Sequence, residues 1–165
     1  GARLNMHNVY GNHLVYDVNL AHIILKSEKV NVKLLTSYST AFIAPSLYQL
    51  YDGFSGNIDL KPESNETFEA GFEFNYQDWI QFDVVYFDRK EKDAIIFDTT
   101  IFAYANGTSD ASGFELNTKI APTSFLTFNA GYRTYSIGGL WVTSGINISS
   151  RNTAKVSNRD EEERA

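Results

Sequence analysis

The chain has 165 residues, 43% hydrophobic and 15% aromatic, enough apolar material for one domain of ordinary size. Its formal charge of −6, with no block of basic residues, excludes nucleic-acid binding of the kind that needs a basic patch. It has no cysteine, which excludes disulfides, zinc–thiolate sites and thiol nucleophiles.

No apolar run approaches the ~18 residues of a membrane helix. A transmembrane β-barrel stays open, because its strands alternate and score poorly on hydropathy. Residues 1–15 lack the basic start and apolar centre of a signal peptide, so an exported form is expected to begin upstream.

Taken in order, the elements follow a period of two. Residues 2–8 predict a first strand. Leu14, Tyr16, Val18 and Leu20 then oppose Asp17 and Asn19, and the turn "KSEK" (26–29) leads into "VNVKLLTSYS" (30–39). The stretch "YSTAFIAPSLYQLY" (38–51) opens as a strand. Pro45 cannot donate to a ladder and ends the pairing. About one helical turn fits within 45–51, and the apolar residues after Pro45 are expected to pack the base of a loop.

Residues 67–76 place Phe68, Ala70, Phe72, Phe74 and Tyr76 opposite Glu69, Gly71, Glu73 and Asn75. A tight Gln77–Asp78 turn then predicts a hairpin with 79–87, where Ile80, Phe82, Val84 and Tyr86 oppose Gln81 and Asp83. Residues 114–120 set Phe114, Leu116, Thr118 and Ile120 against Glu115, Asn117 and Lys119. "APTS" (121–124) is turn chemistry, followed by a strand over 125–135 and a weaker one over 140–149. The tail 151–165 is polar and expected to be disordered, so the division is 1–150 for the β-domain and 151–165 for the tail.

The predicted strands run to roughly nine to twelve residues, whereas soluble strands average about five or six and tilted membrane strands ~9–11. Short connections (26–29, 77–78, 121–124) alternate with long ones (39–64, roughly 89–111), the asymmetry of short periplasmic turns and longer outer loops. On that assignment strands 67–76 and 112–120 run toward the periplasm, and 30–39, 80–88 and 125–135 run outward. Aromatic residues near strand ends (Tyr76, Trp79, Tyr86, Tyr132, Tyr135) fit membrane girdles. The fold class is therefore all-β, an antiparallel up-and-down transmembrane barrel fragment. A soluble β-sandwich or small barrel binding a ligand or carbohydrate is the alternative, because either arrangement has the same alternation.

Catalytic signatures (Gly-x-Ser-x-Gly, a P-loop, His-Glu-x-x-His) are missing, and no enzyme is expected. Glu69, Glu73 and Asp83 share the polar face and read as a solvated surface rather than an acid/base pair. His7, His13 and His22 have no metal spacing. Asp52, Asn57 and Asp59 lack the acidic density of a calcium loop. The sequons at Asn65, Asn106 and Asn147 carry no weight in a bacterial barrel. No metal or cofactor is expected.

Residues 38–74 resemble the barrel signature of TonB-dependent outer-membrane receptors. Phe42, Ala44, Pro45, Leu47, Leu50 and Tyr51 fit an aromatic-rich Ala-Pro-x-Leu-x-x-Leu-Tyr segment. Gly56, Asn57, Leu60, Pro62 and Glu63 fit the Gly-Asn-x-x-Leu-x-Pro-Glu that follows, and Glu69 and Gly71 fit the next strand's Glu-x-Gly. "YANGTSDASGFELN" (104–117) is similar to a further Tyr-x-Asn…Gly-aromatic-Glu segment, and the likeness covers about 30–135.

That resemblance implies a bacterial outer-membrane barrel of about 22 strands around a plug. Some eight of its strands are present here. It also implies partners: membrane lipid, a plug and TonB reached through an N-terminal part, and a small-molecule ligand, cobalamin or a ferric siderophore. The ligand is expected among the outer loops, at 46–60 and 93–111, where Tyr48, Tyr51, Phe54, Phe97 and Tyr104 offer aromatic surface.

Overall fold

The computed structural model describes residues 1–123, 125–137 and 140–152. Its elements are β1 (Ala2–His7), β2 (Gly11–Lys26), β3 (Val30–Ile43), the short helix α1 (Leu47–Tyr51), β4 (Glu63–Tyr76), β5 (Ile80–Asp98), β6 (Ala103–Thr123), β7 (Leu126–Ile137) and β8 (Leu140–Asn152). The expected tail lies outside the described residues from position 153 on.

All eight strands join one sheet in chain order, each antiparallel to the next. There is no second layer among the described residues, so the sandwich alternative fails. The reason is visible in burial. Leu60 (2% exposed) and Ala94 (5%) are the buried hydrophobic side chains, while Leu20 stays 63% exposed and Leu34 45%. A sandwich would bury those side chains between its sheets. Here the apolar face has no cover among the described residues, an extent of exposure that marks a lipid or protein contact.

The register sorts the two faces cleanly. One row runs Leu34, Phe72, Val84, Leu116, Tyr132, and the adjacent row runs Leu35, Gly71, Val85, Glu115, Arg133. On the polar face Arg133 Nε lies 2.7 Å from Glu115 Oε1, and Lys33 pairs with Glu73. The Ser37 hydroxyl donates to Glu69 (3.0 Å) and the Asn117 amide to Asp83 (2.9 Å). Glu69, Glu73 and Asp83 thus have separate partners, although Glu73 stands directly opposite Asp83 in the β4–β5 register.

The apolar face has a sloping edge. Toward the end of the sheet that carries the 44–62 loop, the mainly apolar run ends at Leu14 on β2, Tyr38 and Phe68 on β3 and β4, Tyr86 and Phe114 on β5 and β6, and Tyr132 on β7, with Phe42, Phe97 and Tyr104 standing apart further up. Directly beyond the run ends stand Asn12, Thr40, Glu66, Asp88, Ser112 and Thr134. From β2 to β7 the edge drops about eight residues over five strand spacings, which at ~3.3 Å per residue and ~4.8 Å per strand is a slope of roughly 45°. Strands of outer-membrane barrels tilt by about 35–45° to the membrane normal, and a level membrane surface drawn across them takes that slope.

Several expected connections are corrected. The long connection at 39–64 shrinks to 44–62, because β3 and β4 pair up to Ile43↔Glu63. The one at 89–111 is not a loop: β5 and β6 stay paired to Asp98↔Ala103, leaving a turn at 99–102. Alternation was lost there because both faces turn polar above the apolar edge, through "DRKEKD" (88–93). A bulge at Lys92/Ala94 also shifts the register, with Asp93 at φ 56°. The tight turn is 77–79 rather than 77–78, with Gln77 at φ 49°, and β6 runs on to Thr123 within "APTS".

Candidate functional site

The 44–62 loop is built by local side-chain chemistry. The backbone leaves β3 and turns at Pro45, which is buried. Ser46 caps α1: its hydroxyl accepts from Gln49 N (3.3 Å), while the Gln49 side chain accepts from Ser46 N (2.8 Å). This capping box ties a single helical turn that would not persist alone.

Asp52 then closes a tighter turn. Its Oδ2 accepts from the Ser55 hydroxyl (2.7 Å), Ser55 N (2.9 Å) and Phe54 N (3.3 Å). The Ser55 hydroxyl, and next the Ser55 N–H, hold the Asp52 carboxyl below the usual carboxylate range. A Cβ on Gly56 would stand 2.6 Å from both the N and O of Asp52, so this turn admits only glycine.

The loop is fastened to the upper part of the β5–β6 hairpin. β7 pairs with β6 only from Ala111 downward, which leaves Tyr104 without a strand on that side among the described residues. Ser55 O accepts from Tyr104 N (3.0 Å), and Asn57 Nδ2 donates to Tyr104 O (2.9 Å). Asn106 Oδ1 accepts from Lys61 N (2.8 Å), and its Nδ2 donates to Lys61 O (2.9 Å) and Asp93 O (2.7 Å). Glu63 accepts from Ile95 N (3.2 Å). Buried Leu60 sits within this frame, and its carbonyl accepts from the Tyr10 hydroxyl (3.3 Å).

The structure separates the aromatic ligand candidates into two groups. Tyr104 meets Tyr48 (centroids 6.2 Å apart, 79°) and Phe97 (5.5 Å, 76°), both edge to face. Tyr51 and Phe54 are 70% and 84% exposed and join no ring pair among the described residues. Of the signature residues, Phe42 stacks on His13 at 3.8 Å. Ala44, Leu50 and Pro62 are half-buried. Gly71 sits beside Leu35 and Val85, with room for a Cβ.

Leu47 and Tyr51 do not pack the loop base as expected. They lie on the outer side of α1, and hydrogen bonds with Leu60 and Pro45 do that work. Asp52 and Asn57, considered for calcium, spend their polar atoms on Ser55, Tyr104 and Asp59.

Sequence reasoning missed Ser55 and the Ser46–Gln49 cap, and met Asn106 only as a sequon and as the Asn of a Tyr-x-Asn segment. The cap was legible as Ser-x-x-Gln, and Asp52-x-x-Ser55 as a turn. The role of Asn106 rests on a contact 45 residues away in sequence, for which no local signal exists.

Residues 9–161 match the family model of the TonB-dependent receptor-like β-barrel. The chain is 29% identical over 121 residues to the vitamin B12 transporter BtuB of Vibrio cholerae, covering 72% of this chain and 19% of the transporter. It is 35% identical over 85 residues to a hemin receptor of Yersinia pestis, covering 38% of this chain and 13% of the receptor. The chain thus spans a minor part of either relative's length. Among solved structures, the siderophore receptor PirA from Pseudomonas aeruginosa superposes with a TM-score of 0.76 at 22% identity, over 93% of this chain and 30% of that one. The copper transporter OprC does so at 0.59 and 15% identity, over 78% and 21%.

Proposed function

The chain belongs to the β-barrel family of TonB-dependent receptors, whose members lie in the outer membrane of Gram-negative bacteria, and from that premise we propose that it is a sector of barrel wall in a receptor for active uptake of a bulky, scarce nutrient. The observation that carries this is the pairing of a tilted, uncovered apolar face with a fastened loop and hairpin rising beyond its edge. The first supports a sheet set in lipid, and the second supports an aromatic surface offered to a ligand at one rim. The relatives are transporters and receptors, and no enzymatic role is assigned.

The intact receptor would comprise about 22 strands, with a plug in the lumen. The charged face of this sheet would turn toward that lumen, and TonB would act on the plug through the N-terminal part. Cobalamin or a ferric siderophore is the proposed ligand. Cobalamin is favoured, on the likeness of "GNIDLKPE" (56–63) and of the chain to a vitamin B12 transporter.

The test is accumulation of radiolabelled cyanocobalamin and of a ferric siderophore by cells carrying the full-length receptor, with and without TonB. TonB-dependent accumulation of one of them is expected. Accumulation of neither, or recovery of the protein as a detergent-free soluble monomer, would overturn the proposal.

A further inference from the structure

Resting on the uptake reading, we infer that this sector of the receptor mouth discriminates by charge, admitting a neutral or cationic ligand with an apolar surface and repelling polyanionic ones. The aromatic corner is the attractive element. Tyr104 meets Tyr48 and Phe97 edge to face, which leaves ring surface to cover a bulky apolar group.

The repulsive element lies on the same two segments. Residues 44–63 and 93–107 carry five carboxylates, Asp52, Asp59, Glu63, Asp93 and Asp98, against the single cation Lys61; the adjoining 88–92 adds Arg89, Lys90 and Lys92 against Asp88 and Glu91, so the excess of carboxylates falls from four to three. No ion pair neutralises any of the five among the described residues. Three of them are kept in place as hydrogen-bond acceptors from backbone N–H groups: Asp52 from Ser55, Glu63 from Ile95 and Asp98 from Thr100 (2.8 Å). At Asp52 the bonds from Ser55 favour the ionised form. The loop is tied to the hairpin by Asn57 and Asn106, so these charges share one frame with the rings.

Discrimination of this sort needs a repulsive component as well as contacts. A field of fixed like charges supplies it, over a reach of about 8 Å at physiological salt. The aromatic corner alone would accept a flat apolar ligand of any charge. The carboxylates make the choice, chiefly through the rate of encounter.

The experiment uses the full-length receptor in outer-membrane vesicles, with cyanocobalamin as the neutral probe and a ferric tris-catecholate as the trianionic one. Asp59→Asn/Asp98→Asn removes two charges and keeps both side-chain acceptors. Folding is checked by heat-modifiable gel mobility. The association rate of the trianion is expected to rise about three- to tenfold in this variant at low salt, with the gain vanishing at high salt and the neutral probe unmoved. Lys61→Glu is expected to lower that rate below the wild-type value. A wild-type receptor that binds the trianion as fast as the neutral probe overturns the inference and leaves uptake standing, as does a trianion rate indifferent to both variants. Failure of both probes to bind any form removes the uptake reading and this inference with it.

Discussion

Asn106 and Lys61 exchange two hydrogen bonds across 45 residues of sequence: Lys61 N donates to Asn106 Oδ1 at 2.8 Å, and Asn106 Nδ2 donates to Lys61 O at 2.9 Å. The side chain therefore acts as a peptide group would in a sheet, pairing a loop that has no strand of its own. Asn106→Ala strands the Lys61 amide and the Asp93 carbonyl together. A loss of about 2–3 kcal/mol in local loop stability is expected, read as faster hydrogen exchange at Lys61 and Tyr104 with exchange in the β3–β4 ladder unchanged. Unaltered exchange at Lys61 would show that the pair contributes nothing.

Gly56 makes a second, steric prediction. A methyl group there would meet the Asp52 backbone at 2.6 Å, on main-chain atoms that cannot swing away. Gly56→Ala is expected to open the Asp52–Gly56 turn and to release Asn57 from Tyr104, at a cost of roughly 2 kcal/mol or more. Limited proteolysis should then cut between Asp52 and Leu60, whereas Gly53→Ala, with open space around its Cβ, should leave the loop as resistant as before. Equal cleavage of the two variants would contradict the crowding.

Asp52 carries a pH dependence whose sign follows from its partners. The Ser55 hydroxyl and N–H lower its folded pKa, so the turn gains stability from ionisation. That gain is complete above the ordinary carboxylate value of about 3.9 and is lost as pH falls through the lower folded value. The Ser55 amide resonance of labelled receptor should report an intact turn at pH 5 and its loss only in strong acid. In Asp52→Asn the same resonance should show no such titration. Loss of the turn on the neutral side of the ordinary value would reverse the argument.

Much of the sheet was legible because a two-residue period is imposed wherever one face meets an apolar medium and the other does not. Phe72 and Glu73, or Val84 and Asp83, declare their faces by type alone. The signal fails above the edge at Asp88, where water bathes both faces and residues such as Arg89 and Lys90 no longer alternate. The 93–107 hairpin was hidden for that reason. The frame of the candidate site was harder still. Asn57 was singled out by a resemblance, but what it binds, the carbonyl of Tyr104, depends on how two distant segments lie together. Of the five aromatic candidates the rings of Tyr48, Phe97 and Tyr104 come together and Tyr51 and Phe54 stand apart, a division that nothing in their spacing announced.

The neighbouring pair Leu34 and Leu35 gives the sharpest test of which face meets lipid. Composition cannot tell them apart, and each sits on β3 midway along the apolar stretch from Val30 to Tyr38. Leu34 stands in the row of Phe72, Val84 and Leu116, so Leu34→Lys puts an ammonium among hydrocarbon near the middle of the membrane, at a cost of about 2–4 kcal/mol. Leu35 stands beside Gly71 on the polar face, in a recess that Ser37 and Glu69 also line, so Leu35→Lys gains water and a carboxylate and should cost little. Urea unfolding of the full-length receptor in lipid vesicles should separate the two variants by most of that difference. In a soluble sheet with the aromatic face as its core, Leu34→Lys would also be costly. Quenching of Trp79 by lipid-attached quenchers supplies the second reading: strong quenching in wild type, weakened in step with the unfolding of the Leu34 variant, requires lipid on that side. Equal losses at both positions, or no quenching in the folded wild type, would overturn the membrane assignment of the two faces.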